Sequence, residues 1–244
     1  MRLQRALAGS EIAVRTPGSR RPQGRPASEL DGNILLSVES RGKHLLLRFS
    51  QGLVLHSHLG MRGSWQLFRH GEGWRRPRTS AWISLSDGTT EAVNFNGSSL
   101  RIIPEQQLRR DPRLARLGPD ILGPELSAAR GAVALRRGAS GISLGEALLD
   151  QTLLAGIGNI FKSEGCWAAE LDPWRRVDHL SDDELPSLVA VTRELMETAT
   201  RTGRRPGRVY RRAGRPCPRC GATIRSKPQG DDARLTYWCP RCQR

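Results

Sequence analysis

The chain has 244 residues, 37% hydrophobic and 26% charged, a balance that fits a soluble globular protein of two modest domains. No apolar run approaches the roughly 18–20 residues of a membrane span, and the start MRLQRALAGSEI lacks the apolar core of a signal peptide, so no membrane-embedded or secreted form is expected. The formal net charge is +15; residues 201–244 hold 13 Lys and Arg against Asp231 and Asp232, which points to a polyanionic partner.

In chain order, residues 3–14 read as the last turns of a helix, a stop at Gly9 and then a strand, and the Pro/Gly/Arg-rich residues 15–28 read as an exposed loop. ILLSVES (34–40), HLLLRF (44–49), LVLHSHL (53–59), SWQLF (64–68), AWISLS (81–86) and LRIIP (100–104) are short β-rich segments separated by turn residues. Several are continuously apolar, as expected in a two-layer antiparallel sandwich. Residues 111–127, with Pro and Gly at turn positions, suit an interdomain passage. The period then becomes helical: SLGEALLDQTLLAG (143–156) carries a leucine stripe, IGNIFKSEGCWAAELD (157–172) continues after a glycine turn, and residues 181–203 open with Ser181 and Glu184 at capping-box spacing. Residues 204–216 read as a basic linker.

The chemistry concentrates at two places. Cys217, Cys220, Cys239 and Cys242 form C-x2-C-x18-C-x2-C, the spacing of a structural zinc ribbon with one Zn2+, while Cys166 stands alone. Four thiolates close the coordination sphere, so such a site organises the chain and has no open position for catalysis. The intervening TIRSKPQGDDARLTYW carries Arg225, Lys227 and Arg234, which either contact phosphates or form a solvated basic face. The second place is LLAGIGNIFKSEG (153–165). Its helix N-terminus, with Asn159 and Lys162, is suited to a phosphate, although a Gly-rich helix–helix turn has the same look.

QTLLAGIGNIFKSEG (151–165), VYRRAGRPCPRCG (209–221), SRGKHLLLRF (40–49), LHSHLGMRGSW (55–65), LGPDILGPE (117–125) and LGEALLDQ (144–151) occur in an order that resembles the formamidopyrimidine-DNA glycosylase/endonuclease VIII family of base-excision repair enzymes. The resemblance implies an α+β fold: residues 1–122 a β-sandwich with a shortened N-terminal helix, 123–204 a helix–two-turns–helix DNA-binding domain, and 205–244 a zinc ribbon. It implies a monomer of the bacterial cytoplasm acting on damaged double-stranded DNA. The damaged base is flipped out and removed, and the abasic strand is cleaved through a Schiff base. Matched by motif, Lys43 takes the role of proton donor for β-elimination and Arg234 that of δ-elimination and phosphate contact. Asn159, Lys162 and His58 match DNA contacts, and Met61 the wedge that fills the gap left by the flipped base. Lys43 could equally be a surface charge and His58 a structural histidine; for Met61 the alternative is a core methionine, which the flanking glycines and arginine disfavour.

Two departures from the family pattern bear on function. The family begins Met-Pro-Glu, with the proline amine as nucleophile, whereas MRLQRALAG resembles a part about a dozen residues inside that start. Read this way, the nucleophile lies upstream of a start placed too late, and the alternative is a non-catalytic damage binder. NFNGSSLRII (94–103) stands where 8-oxoguanine enzymes carry an Asp-Pro-Arg-Arg-Phe-Gly loop, which favours oxidised pyrimidines as substrates. A zinc-ribbon RNA-associated protein fits the composition but not the sandwich half or the SHLGM motif.

Overall fold

The computed structural model describes residues 2–138 and 141–244, which divide into two units at Ala115/Arg116. The first contains α1 (Arg2–Leu7), β1 (Glu11–Arg15), β2 (Gln23–Gly24), β3 (Asn33–Arg41), β4 (His44–Phe49), β5 (Leu53–His58), β6 (Ser64–Arg69), β7 (Ala81–Ser86), β8 (Thr90–Phe95), β9 (Ser99–Pro104), α2 (Glu105–Leu108) and α3 (Pro112–Ala115). The strand order is β2-β9-β5-β4-β3-β1-β7-β8-β6. β1 is the corner: Glu11 and Ile12 pair with β3, and Ala13–Arg15 pair with β7. The order therefore folds at β1 into a two-layer sandwich. Leu35, Leu47, Phe49, Leu55 and Ile102 from one layer share a core with Ile83, Leu85 and Ala92 from the other.

Every strand pairing described in this unit is antiparallel except the two-residue contact of β2 with β9, so the expected exposed loop at 15–28 carries a short parallel edge, and Leu30 just beyond it is buried. β8 was not foreseen because Glu91 and Asn94 break its apolar pattern. Both are nonetheless buried: Trp74 Nε1 donates to Glu91 at 2.9 Å, and Asn94 Nδ2 faces Ser57 Oγ at 3.5 Å.

The second unit contains α4 (Ala128–Gly138), α5 (Leu144–Ala147), α6 (Asn159–Ala168), α7 (Glu184–Thr202), β10 (Arg225–Gln229) and β11 (Arg234–Trp238). The helix expected over 143–156 closes after one turn. Asp150 Oδ1 accepts from Thr152 N and Oγ1 at 2.8 and 2.7 Å, an Asx turn that competes with the helical ladder. Helix α4 escaped the sequence reading because its glycines and arginines mask its periodicity. The glycine at 131 is there for packing: a Cβ would lie 2.8 Å from Val189 on α7. The Ser181–Glu184 contacts form, Glu184 accepting from Ser181 N at 2.7 Å, but the regular helix begins only at Glu184 with Asp183 at its N-cap, so Ser181 caps an irregular turn ahead of it rather than α7 itself.

Helix α6 crosses α7 at Gly165, where an added Cβ would lie 2.2 Å from Thr192 Oγ1. Gly165→Ala should therefore lower stability by about 1–3 kcal/mol through overpacking, against the roughly 1 kcal/mol that alanine contributes to a helix. Adding Thr192→Ala should recover most of the loss. Thermal melts of the single and double variants check this, and a Gly165→Ala protein as stable as the parent would contradict the close crossing.

Candidate nucleic-acid interface and metal centre

In the first unit Lys43 occupies the turn between β3 and β4 and is exposed, and pairing of His44 with His58 brings β5 alongside. Lys43 is close enough to His58 to depress its pKa, after burial, the larger cause. His44 Nδ1 and His56 Nε2 share a hydrogen bond of 2.8 Å, and the rings of His44 and His58 lie 4.9 Å apart. His56 is 3% exposed and its Nδ1 has no partner among the described residues. Burial holds His44 and His56 down to about 4, with Asp111 opposing and Arg113 reinforcing the shift in both. Asp111 is itself kept low by the backbone N–H of Arg113 and by Arg101, although burial pulls the other way. The sheet therefore carries three imidazoles that stay neutral at physiological pH.

After β5 the chain turns through Leu59-Gly60-Met61-Arg62-Gly63. Gly60 has φ +63°, a Cβ on Gly63 would lie 2.3 Å from the Leu59 carbonyl, and Gly63 N donates to that carbonyl at 3.0 Å. This tight turn lifts Met61 to 88% exposure, so it is no core methionine.

In the second unit Gln151 staples the turn before α6: its Nε2 donates to the carbonyls of Leu149 and Ile157, and its Oε1 accepts from Gly156 N at 3.0 Å. Gly156 takes φ +105°. Helix α6 starts after Gly158 with no side chain capping its first amides, an arrangement suited to an anion. Asn159 Nδ2 donates to the Leu235 carbonyl at 2.8 Å, tying this N-terminus to β11.

Lys162 departs from expectation. It is fully buried and its Nζ donates to Thr236 Oγ1 at 2.5 Å, so it offers no exposed face to a phosphate. Burial lowers its pKa to about 8. On the hairpin, Arg225, Lys227 and Arg234 are exposed; Lys227 lies over the Trp174 ring at 5.4 Å, and Arg234 Nε is 3.6 Å from Asp232.

The four sulfurs of Cys217, Cys220, Cys239 and Cys242 lie within 4.8 Å of one another. The separations of 3.9 Å (Cys217–Cys242) and 3.4 Å (Cys220–Cys239) bracket the roughly 3.8 Å edge of a tetrahedron with 2.3 Å metal–sulfur bonds. They are far too long for disulfides. Trp167 Nε1 donates to Cys217 Sγ at 3.4 Å and Gln243 Oε1 accepts from Cys239 N at 2.7 Å, so the donor set is held in place from outside. These residues fit a structural metal ion.

Three family profiles match in chain order: the formamidopyrimidine-DNA glycosylase N-terminal domain at residues 1–99, its H2TH domain at 117–209, and a zinc finger found in FPG and IleRS at 214–244. A Streptomyces coelicolor protein named "Probable endonuclease 8 2" is 40% identical, covering 99% of this chain and 90% of its own length. The chain belongs to the formamidopyrimidine-DNA glycosylase/endonuclease VIII family. A Mycolicibacterium smegmatis relative named DNA-(apurinic or apyrimidinic site) lyase Nei2 is 34% identical over 88% of this chain and 84% of its own. A structure described as a complex between Lactococcus lactis Fpg and DNA containing an abasic site superposes with a TM-score of 0.83 at 22% identity, covering 100% and 96% of the two chains, which shows the shared fold.

Within this family fold, Lys43 and His58 come together in the first unit. Asn159, Lys162 and Arg234 gather around β11 in the second, where Arg225 and Lys227 lie on the paired strand β10. Sequence reasoning missed Glu164. It is 1% exposed and accepts from the backbone N–H groups of Arg208, Val209 and Tyr210 at 2.8–3.0 Å, which anchors the basic linker. A carboxylate directly before Gly165, the glycine at which this helix packs closely, was the available signal.

Two outcomes follow. His44 and His56 take up protons in the unfolded chain near 6.5 but in the fold only near 4, so stability should fall as pH drops through that window. His56→Leu should flatten this slope in melts recorded between pH 6.5 and 4, and an unchanged slope would contradict it. Cys239→Ser should take bound metal from about one ion per chain to near none and leave the sandwich folded; metal analysis with far-ultraviolet circular dichroism checks both.

Proposed function

We propose that the protein is a bifunctional DNA glycosylase and abasic-site lyase of the endonuclease VIII type, acting on damaged double-stranded DNA in base excision repair. The observation that carries this is the 40% identity over 99% of the chain to an endonuclease 8 relative, with three family profiles in register. The lyase named among the relatives supports the second activity.

In this proposal the damaged nucleotide leaves the stack and Met61, raised on its turn, enters the gap. An amine attacks C1′, the base departs, and the resulting Schiff base loses the 3′ phosphate by β-elimination. Lys43 supplies the proton for that step, and Arg234 assists δ-elimination of the 5′ phosphate. His58, Asn159, Arg225 and Lys227 contact the DNA, and the metal is one structural Zn2+. The Asn96–Ser98 turn between β8 and β9 leaves no long loop, which supports an oxidised pyrimidine as the base. The protein acts as a monomer in the bacterial cytoplasm.

Borohydride reduction during incubation with an abasic duplex should trap a covalent protein–DNA species, and peptide mapping of it locates the attacking amine. Tight binding with neither trapping nor strand cleavage would favour the damage binder instead. The logarithm of affinity should fall linearly with the logarithm of salt concentration, and Arg234→Ala should reduce that slope by about one unit.

A further inference from the structure

Of the three lysines in the chain, Lys162 alone is sealed from solvent. An ammonium in that position is costly unless compensated. Its compensation runs through a chain of side chains. Lys162 Nζ donates to Thr236 Oγ1 at 2.5 Å, and Thr236 Oγ1 donates to Gln229 Oε1 at 2.6 Å. Gln229 Nε2 donates to Ser143 Oγ at 2.7 Å and to the Pro173 carbonyl at 2.8 Å, and Ser143 Oγ donates to the Glu146 carboxylate.

The direction of these bonds is forced. A carbonyl oxygen only accepts, so the Gln229 group facing Pro173 is the amide nitrogen. Its oxygen then faces Thr236, which must give its single proton there and accept from Lys162. All the links polarise the same way, from a buried cation to a carboxylate, an arrangement in which each bond strengthens the next.

Thr236 lies on β11 two residues from Arg234 and on the same face of the strand. Helix α6 grips this strand at three successive residues: Asn159 at Leu235, Lys162 at Thr236 and Ser163 at Tyr237. We propose that Lys162 is a positioning residue. Through Thr236 and the relay to Glu146, it fixes the spacing between Arg234 and the N-terminal amides of α6, two of the anion-binding groups proposed for this unit. This rests on the role proposed above for Arg234. Besides burial, the titratable groups that face Lys162 are Cys166, whose thiol burial pushes up to about 12, Arg234 and Glu146.

The test uses the full metal-loaded chain and compares Lys162→Met, Thr236→Val, their combination and Thr236→Ser. The readouts are metal content, the ratio of δ- to β-elimination products on an abasic duplex, and amide hydrogen exchange at residues 234–238. Both single variants should retain metal and keep β-elimination within a factor of two, while δ product falls about tenfold and exchange in β11 quickens. The combination should be no worse than either single change, because both interrupt one chain. Thr236→Ser, which keeps the hydroxyl, should behave as the parent. Unchanged product ratios and exchange in Thr236→Val, an equal loss of both products, or additive effects would overturn the proposal. If Lys162→Met does not fold, the Thr236→Val and Thr236→Ser pair still decides. If the parent makes no δ product, the role of Arg234 is lost, but exchange in the Thr236 pair still tests the relay: quickening in Thr236→Val supports it and parent-like protection overturns it.

Discussion

Helix α6 has to bury two opposite charges two residues apart, Lys162 and Glu164, and much of the second unit is arranged to satisfy them. Side chains two apart on a helix do not face one another, so the two charges cannot neutralise each other and each must recruit a separate partner. Glu164 takes three consecutive amides from 208–210, which fixes the path of the chain as it enters the cysteine knuckles. Lys162 takes the hydroxyl of Thr236 on the strand that leads out towards Cys239. The metal module is thus held to the helix both by the segment that leads into it and by β11 between its two cysteine pairs, through groups that are not metal ligands.

In the first unit some of the polar residues inside the sandwich are paired in the same way, although His56 Nδ1, Trp82 Nε1 and Asn94 Oδ1 are buried with no hydrogen-bond partner among the described residues. Glu91 receives the Trp74 indole N–H, and Ser57 receives that of Trp65 at 3.1 Å. The three histidines on β4 and β5 stay uncharged under the combined effect of burial and neighbouring arginines. A neutral imidazole can donate or accept without adding to an already basic surface.

Spacing alone made the cysteine array legible, because a metal imposes its own distances on the sequence. The glycine turn ahead of residue 157 was legible as well, and Gly156 there takes φ +105°. The elements that escaped were those whose burial depends on a distant partner. β8 reads as polar until Trp74 covers Glu91, and α4 reads as a loop until Val189 packs on Gly131. Lys162 misled for the same reason: a lysine beside a helix N-terminus suggests a phosphate contact, and only the placement of Thr236 and Gln229, more than sixty residues away in sequence, reveals it as an internal cation. The Ser181–Glu184 contacts, a local pattern, were legible.

Strand β1 serves two sheets with five residues, its first half closing one and its second half the other. Peeling it away would bare two fresh edges in a single event, each a row of unpaired amides and carbonyls open to another chain. The layers therefore have no independent fraying path from that side. A partial opening that would invite strand exchange with another copy thus requires the loss of both sheets' contacts at once.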